Sequence, residues 1–308
     1  MIRCSCLLFC LCLAGCSLPG WLTFHSDETA ESRDVPKYPG YCYQQFQEGD
    51  YSRAFVSCTG IKEAQAYYNL AYMYTRGLGT EVNYYVAFYL LQQASSAGHP
   101  DAMYELGRRY DQGKGCRRNY QKALYWYRKA ADKGQLPAMN ALASLYYCGD
   151  GIKQDPSAAI FWYYKTAQRG DPVGMYNVGL LLSQGVTKAG ISPEDPLFWY
   201  RKAATAGNPD ARFELARSRF TGKEKEPALR EIKSSAEDGS LQASFFLGNY
   251  YSADNRIKRY SGKWFCWYYL ASLQGSSQAL YRIQDLTAGW SEEKFEQVKE
   301  SCEKQTDI

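Results

Sequence analysis

Histidine is scarce in this sequence: the 308 residues include two, His25 and His99. Hydrolases with a serine or cysteine nucleophile usually activate it with a histidine base. His25 lies in a polar N-terminal stretch, and His99 occupies a turn where it fills a polar position at the start of a helix. The sequence therefore argues against nucleophilic catalysis of these types and predicts no catalytic residue.

Strong charge and metal-ligand spacing are also missing. The formal net charge is +4, which is too small and too evenly spread to indicate nucleic-acid binding. Short basic groups such as Arg108-Arg109 and Arg117-Arg118 are interpreted as a solvated face. None of the 11 cysteines has the C-x-x-C spacing that is typical of zinc sites and thioredoxin-like chemistry. These absences predict a protein without a metal, a cofactor or a nucleic-acid partner.

What the sequence does contain is a repeat, seen most clearly from residue 102 to residue 134. Ala102, Leu106 and Tyr110 follow one another at a spacing of four, as on the buried face of a helix. A second helix then carries buried alanines and aromatic residues, namely Ala123, Trp126, Tyr127, Ala130 and Ala131. The same pattern recurs 36 residues earlier and 36 residues later. A fixed period of this size predicts a stacked α-solenoid.

Gly-x-Gly turns separate the two helices of these repeats and begin at Gly77, Gly113 and Gly149. No strand pattern precedes them, so a phosphate-binding loop is not favoured. Glycine adopts positive φ without steric cost, and the turns are interpreted as helix ends.

These residues resemble the Sel1-like repeat family, a branch of the tetratricopeptide-like α-solenoids, over residues 64–283. The matching elements are the A-x-x-x-L-G/A opening, the G-x-G turn, and the W-Y-x-x-A-A-x-x-G close at residues 126–134. The resemblance implies an all-α solenoid of roughly six stacked helix-turn-helix repeats. It also implies a role as an adaptor or assembly scaffold, in which the motif residues hold the fold together.

The N-terminal residues predict export. Residues 1–15 combine one positive charge, an apolar run from Leu7 to Leu13, and small residues directly before Cys16. The apolar run is too short to cross a membrane as a helix and is typical of a signal peptide. The segment resembles a bacterial lipoprotein signal, which makes Cys16 the lipidated residue. An ordinary cleaved signal with a chance cysteine is the alternative. The lipoprotein interpretation implies an outer-membrane protein that faces the periplasm, with the cell surface as a second location.

The rest of the chain divides into four parts. We expect a flexible tether at residues 16–40, an N-terminal capping hairpin at 41–63, the solenoid at 64–290 and a C-terminal capping helix at 291–308. Ser291 is suited to begin that last helix as its N-cap.

Six cysteines follow Cys16 in the sequence, namely Cys42, Cys58, Cys116, Cys148, Cys266 and Cys302. An even number in an exported protein predicts disulfide bonds. The sequence alone does not choose among the pairings, although Cys42–Cys58 is favoured because these residues lie on the two arms of one hairpin. Cys266 and Cys302 would tie the last full repeat to the terminal helix.

A partner-binding groove is implied by the resemblance, because in related solenoids the first helices of successive repeats line a concave face. Its least constrained positions are Asn69, Tyr72, Glu105, Arg108, Asn177, Glu214, Arg217 and Asn249. This mixture of amide, ring and charge suits a protein or peptide partner. A merely solvated surface is the alternative.

Two functions from different classes follow. The first is a non-catalytic, membrane-anchored scaffold that binds protein partners in the bacterial cell envelope, in a secretion, polysaccharide-export or virulence-related complex. The second, implied by cysteine-rich relatives, is a cell-wall-acting or penicillin-binding, β-lactamase-like enzyme. The lack of a nucleophile–base pair favours the scaffold.

Overall fold

The computed structural model describes residues 35–188, 190, 195–253 and 262–306. The predicted signal peptide, Cys16 and most of the tether lie outside the described residues. The described part contains sixteen α-helices, in chain order α1 Pro39–Glu48, α2 Tyr51–Cys58, α3 Ala64–Arg76, α4 Tyr84–Ser96, α5 Pro100–Gln112, α6 Tyr120–Asp132, α7 Leu136–Cys148, α8 Pro156–Ala167, α9 Pro172–Ser183, α10 Pro196–Thr205, α11 Pro209–Ser218, α12 Lys225–Glu237, α13 Leu241–Ala253, α14 Lys263–Leu273, α15 Ser277–Thr287 and α16 Glu292–Thr306.

Consecutive helices pack as antiparallel hairpins, and each hairpin packs on the next. The pair α1–α2 comes first, six hairpins from α3–α4 to α13–α14 follow, and α15 and α16 close the C-terminal end. The prediction of an all-α solenoid with a C-terminal capping helix is confirmed. No helix among the described residues is long and apolar enough to cross a membrane.

Local sequence sets where the helices of each repeat begin and end. The side chains of Asn83, Asn119 and Asp155 accept hydrogen bonds from backbone N–H groups in the first turns of α4, α6 and α8. An oxygen at this position satisfies a donor that the helix itself leaves unpaired. Helices α3, α5 and α7 each end at a glycine in the left-handed conformation, the first glycine of each Gly-x-Gly turn.

The second glycine of each turn has a role that the sequence analysis did not assign. Gly115 has a φ of +79°, and a Cβ added there would overlap the backbone carbonyl of Tyr84 in the preceding repeat. Gly79 and Gly151 stand at the same position against Tyr51 and Tyr120. These glycines therefore decide how closely successive repeats stack.

A third glycine position lies inside the first helix of some repeats. Gly107 in α5 packs against the ring of Tyr127 in α6, and a Cβ at Gly107 would lie 2.6 Å from the Tyr127 Cδ1. Gly179 and Gly248 face Tyr200 and Tyr268 in the same way. Because glycine has no side chain, the tyrosine ring fits into the space that a Cβ would occupy, and the two helices of the repeat pack closely.

Two disulfide bonds close the two ends of the described array. Cys42–Cys58 joins α1 to α2 with a Cα–Cα distance of 4.9 Å, as expected from the hairpin. Cys266–Cys302 joins α14 to the capping helix α16 with a Cα–Cα distance of 5.2 Å.

Cys116 and Cys148 are free thiols, so the expectation that all six cysteines pair is corrected. Cys116 lies in the turn between α5 and α6, whereas Cys148 is the last residue of α7, so the two occupy different positions along the repeat. The Cys116 thiol instead donates a hydrogen bond to the carbonyl oxygen of Arg109, and Cys148 is exposed at the end of α7.

Candidate partner-binding site

The predicted groove residues occupy two positions of the first helix of each repeat. Asn69, Glu105, Asn177 and Glu214 share one position, and Tyr72, Arg108, Arg217 and Asn249 share the position three residues later. The two positions differ in burial: Asn69 and Glu214 at the first position are buried, whereas no predicted residue at the second position is.

The first position is largely used by the protein itself. Asn69 is 2% exposed and accepts a hydrogen bond from Gln65. Glu214 is 8% exposed and binds Arg217 at 2.6 Å. The prediction that Asn69 and Glu214 offer free polar groups to a partner is therefore corrected, since packing turns them inward. Asn177 is half-buried and donates to the carbonyl oxygen of Val173.

The second position stays more accessible. Arg217 and Asn249 are exposed, and Tyr72 and Arg108 are half-buried. Asn249 accepts a hydrogen bond of 2.8 Å from the hydroxyl of Tyr268, so only part of its amide is available.

Three of the predicted residues, Tyr72, Glu105 and Arg108, meet in one pocket of about 240 Å³ between α3 and α5. Asn177, Arg217 and Asn249 belong to later repeats and do not line it. The structure therefore brings three of the eight predicted groove residues together in the first two full repeats.

Four cationic side chains line this pocket, namely Arg76, Arg108, Arg109 and Lys114. The one carboxylate in the lining is Glu105, whose oxygen lies 2.9 Å from a guanidinium nitrogen of Arg108. The pocket therefore carries an excess of positive charge that the net charge of the whole chain does not reveal.

Aromatic rings form much of the remaining wall. Tyr72 lies under the guanidinium of Arg76, with 5.0 Å from Arg76 Cζ to the ring centroid. The guanidinium of Arg109 likewise lies over the ring of Tyr84, with 5.5 Å from Arg109 Cζ to the ring centroid. Burial, followed by the carboxylates of Asp101 and Glu105, raises the pKa of Tyr68 to about 12. The Tyr68 hydroxyl therefore stays neutral at ordinary pH and does not offset the positive charge.

Arg109 differs from the other cations because its side chain is buried, with 6% exposed. The interpretation of Arg108-Arg109 as a solvated face is therefore wrong for Arg109. Its guanidinium donates a 2.7 Å hydrogen bond to the hydroxyl of Thr75 in α3. Burial lowers the pKa of Arg109, as expected for a cation that has lost water.

The repeat register contains a signal for Arg109 that the sequence analysis missed. The same position is occupied by Met73, Leu145 and Leu181 in three other repeats, and all three are buried. A cation at a position that is apolar and buried in the first, third and fourth repeats marks the second repeat as different.

No group of three or more His, Cys, Asp or Glu side chains in the described ranges is placed to hold a metal ion. The repeated helical hairpins and the open, charged face define the class of this protein: it is a tandem helical-repeat protein whose candidate site is a surface for macromolecular recognition. A family model of the Sel1 repeat matches residues 64–99, 100–135, 136–171 and 172–208, which are the hairpins from α3 to α10. The chain therefore carries four consecutive Sel1 repeats between residues 64 and 208.

Solved structures of similar proteins agree with this assignment. A Sel1 repeat protein from Oxalobacter formigenes has a TM-score of 0.63 and 25% sequence identity, covering 76% of this chain and 98% of that one. The immunity protein Pa5087 from Pseudomonas aeruginosa has a TM-score of 0.50 and 27% identity, covering 68% of this chain and 83% of that one. A search of curated proteins found no match. Sel1-repeat solenoids are generally non-enzymatic scaffolds for protein–protein interaction, which is the function class of this fold.

Proposed function

We propose that this protein is a non-catalytic scaffold of the bacterial cell envelope that binds protein partners along the first helices of its repeats. The observation that carries the proposal is the pocket between α3 and α5, where charged and aromatic side chains of two repeats converge on an accessible face. Repeat solenoids use such extended faces for recognition.

The location in the envelope has separate support. Disulfide bonds persist in oxidising compartments such as the bacterial periplasm, and two of them close the ends of the described array. In this proposal Cys16 carries the lipid, the following polar residues form the tether, and the solenoid faces the periplasm at the outer membrane. A Cys16→Ser variant should then move from the membrane fraction to the soluble periplasmic fraction. Recovery of that variant with the membranes would contradict lipid anchoring.

Partner binding is tested by capture from cross-linked envelopes. The face variant combines Arg108→Gln, Arg217→Gln and Asn249→Ala, which remove groups from the accessible position without reversing a charge. The control combines Arg201→Gln and Arg230→Gln, which remove two exposed arginines from the second helices α10 and α12. We expect one envelope protein to be captured by the wild type and the control and lost by the face variant. Equal capture by all three proteins would refute a role for the first helices.

A further inference from the structure

Arg109 holds a buried positive charge that forms no direct ion pair. Burial lowers the pKa of Arg109 and the nearby carboxylate of Glu105 opposes that shift, but this carboxylate is paired with Arg108. The Arg109 guanidinium contacts the Thr75 hydroxyl and the Tyr84 ring, and neither is anionic. Within the described ranges, no carboxylate forms an ion pair with Arg76, Arg109 or Lys114. A buried cation without a counter-charge is destabilising, and replacing such a group with an apolar residue is often stabilising.

The hydrogen bond to Thr75 does not by itself account for an arginine here. The Thr75 hydroxyl already donates to the carbonyl oxygen of Ala71, so it does not depend on Arg109 for a partner. The first repeat uses Met73 at the equivalent position and buries it completely. An arginine is therefore not needed for packing at this point of the repeat.

Glu105 is already paired with Arg108 and the pocket is open on one side, so a ligand can supply Arg109 with a direct ion-pair partner. We propose that the pocket between α3 and α5 binds a side-chain carboxylate from an acidic segment of the protein partner. This inference rests on the proposed function and names the chemistry of its partner. The planar guanidinium group matches a carboxylate through two parallel hydrogen bonds, and Arg76 and Lys114 add charge at the pocket wall.

The size and lining of the pocket favour a peptide side chain over a larger ligand. Pockets for drug-sized molecules usually occupy about 300–1,000 Å³, whereas this one occupies about 240 Å³. Ala71 and Leu91 form an apolar part of its lining. That apolar part suits the aliphatic stem of a glutamate, which inorganic phosphate does not have.

The test uses fluorescence anisotropy with a labelled, acetylated and amidated hexaglutamate peptide, and hexaglutamine as the neutral control. Arg109→Met copies the residue of the first repeat and is expected to fold with equal or higher stability. Arg76→Gln removes a charge from the exposed rim, and Arg201→Gln removes one exposed charge from α10, far from the pocket in sequence. Inorganic phosphate is titrated as a competitor.

We expect hexaglutamate to bind and hexaglutamine not to bind. Arg109→Met should weaken binding by about tenfold or more and Arg76→Gln by several-fold, as for loss of a charge-assisted hydrogen bond. Arg201→Gln should change it less than twofold. Equal binding of the two peptides, or an equal loss in Arg201→Gln, would overturn the proposal by showing non-specific attraction. Saturable phosphate binding that depends on Arg109, with no peptide binding, would replace the carboxylate with a phosphate site.

Failure of this inference is distinguishable from failure of the scaffold function. If Arg109→Met still captures the envelope partner and the face variant does not, the scaffold function stands and the carboxylate site is wrong.

Discussion

Gly107 offers the sharpest test of how two helices of one repeat fit together. A Cβ at this position would lie 2.6 Å and 2.7 Å from two ring carbons of Tyr127, whereas non-bonded carbons normally lie about 3.5–4.0 Å apart. The Gly107→Ala variant must therefore move the ring or the helix by roughly 1 Å. Tyr127 is 1% exposed, so the ring has little space to move into.

Two opposing effects determine the magnitude. Overpacking of a filled core costs about 1–3 kcal/mol, and alanine in a helix interior is more stable than glycine by about 0.5–1 kcal/mol. We therefore expect Gly107→Ala to lower the free energy of unfolding by about 1–2 kcal/mol. Gly289→Ala is the control, because no atom lies within 4 Å of a Cβ at that position, and it should change stability by less than about 0.5 kcal/mol.

Replacing Tyr127 with a smaller residue should reverse the sign of the stability change that Gly107→Ala causes. The first repeat already has Ala71 and Leu91 at the two equivalent positions. In a Tyr127→Leu background, Gly107→Ala should therefore raise stability by about 0.5–1 kcal/mol, because the helix preference remains and the ring does not.

The measurement is urea unfolding of the four variants, followed by circular dichroism and tryptophan fluorescence in parallel because repeat arrays can lose cooperativity. Equal destabilisation by Gly107→Ala in both backgrounds would refute the contact with Tyr127 as the cause. No destabilisation in either background would show that α5 and α6 move apart to accommodate the added methyl group at little cost in free energy.

Two further predictions concern titration and cross-linking. His99 accepts a hydrogen bond from the N–H of Ala102 through its ring nitrogen Nδ1, and burial lowers its pKa below 6.5. The folded state therefore binds a proton at His99 less tightly than the unfolded state does. The contribution of neutral His99 to stability is present above about pH 6.5 and is lost as the pH falls through the lower pKa of the folded state. His99→Asn should reduce the drop in melting temperature between about pH 7.5 and pH 5, and an unchanged drop would assign the pH dependence to other groups. Removing Cys266–Cys302 with paired alanine substitutions should cost about 4 kcal/mol on the chain-entropy model, given a sequence separation of 36. The expected result is a lower melting temperature under non-reducing conditions, and a melting temperature equal to that of Cys148→Ala would contradict it.

The periodic part of the fold was predictable from sequence because its determinants are local. Alanine and aromatic spacing defines each helix face, asparagine or aspartate begins the second helices, and the first glycine of each turn ends the first helix. The Cys42–Cys58 bridge was predictable for the same reason, since both residues belong to one hairpin. These features repeat with a period of 36 residues, so each copy supports the interpretation of the others.

The candidate site was only partly predictable. Spacing placed Tyr72, Glu105 and Arg108 on the correct helices, and they line one pocket. The same spacing could not show that Asn69 and Glu214 are buried, because burial depends on how closely the next helix approaches.

The sequence by itself therefore determined the repeating unit, its helix boundaries and the order of its hairpins. Only the tertiary structure decided that Arg109 is buried beside Thr75 without a direct ion pair, and that a Cβ at Gly115 would overlap the backbone of Tyr84. The physical reason is that helical periodicity assigns a residue to a face. What that face meets is set by the angle and distance of the neighbouring repeat, which depend on many side chains at once.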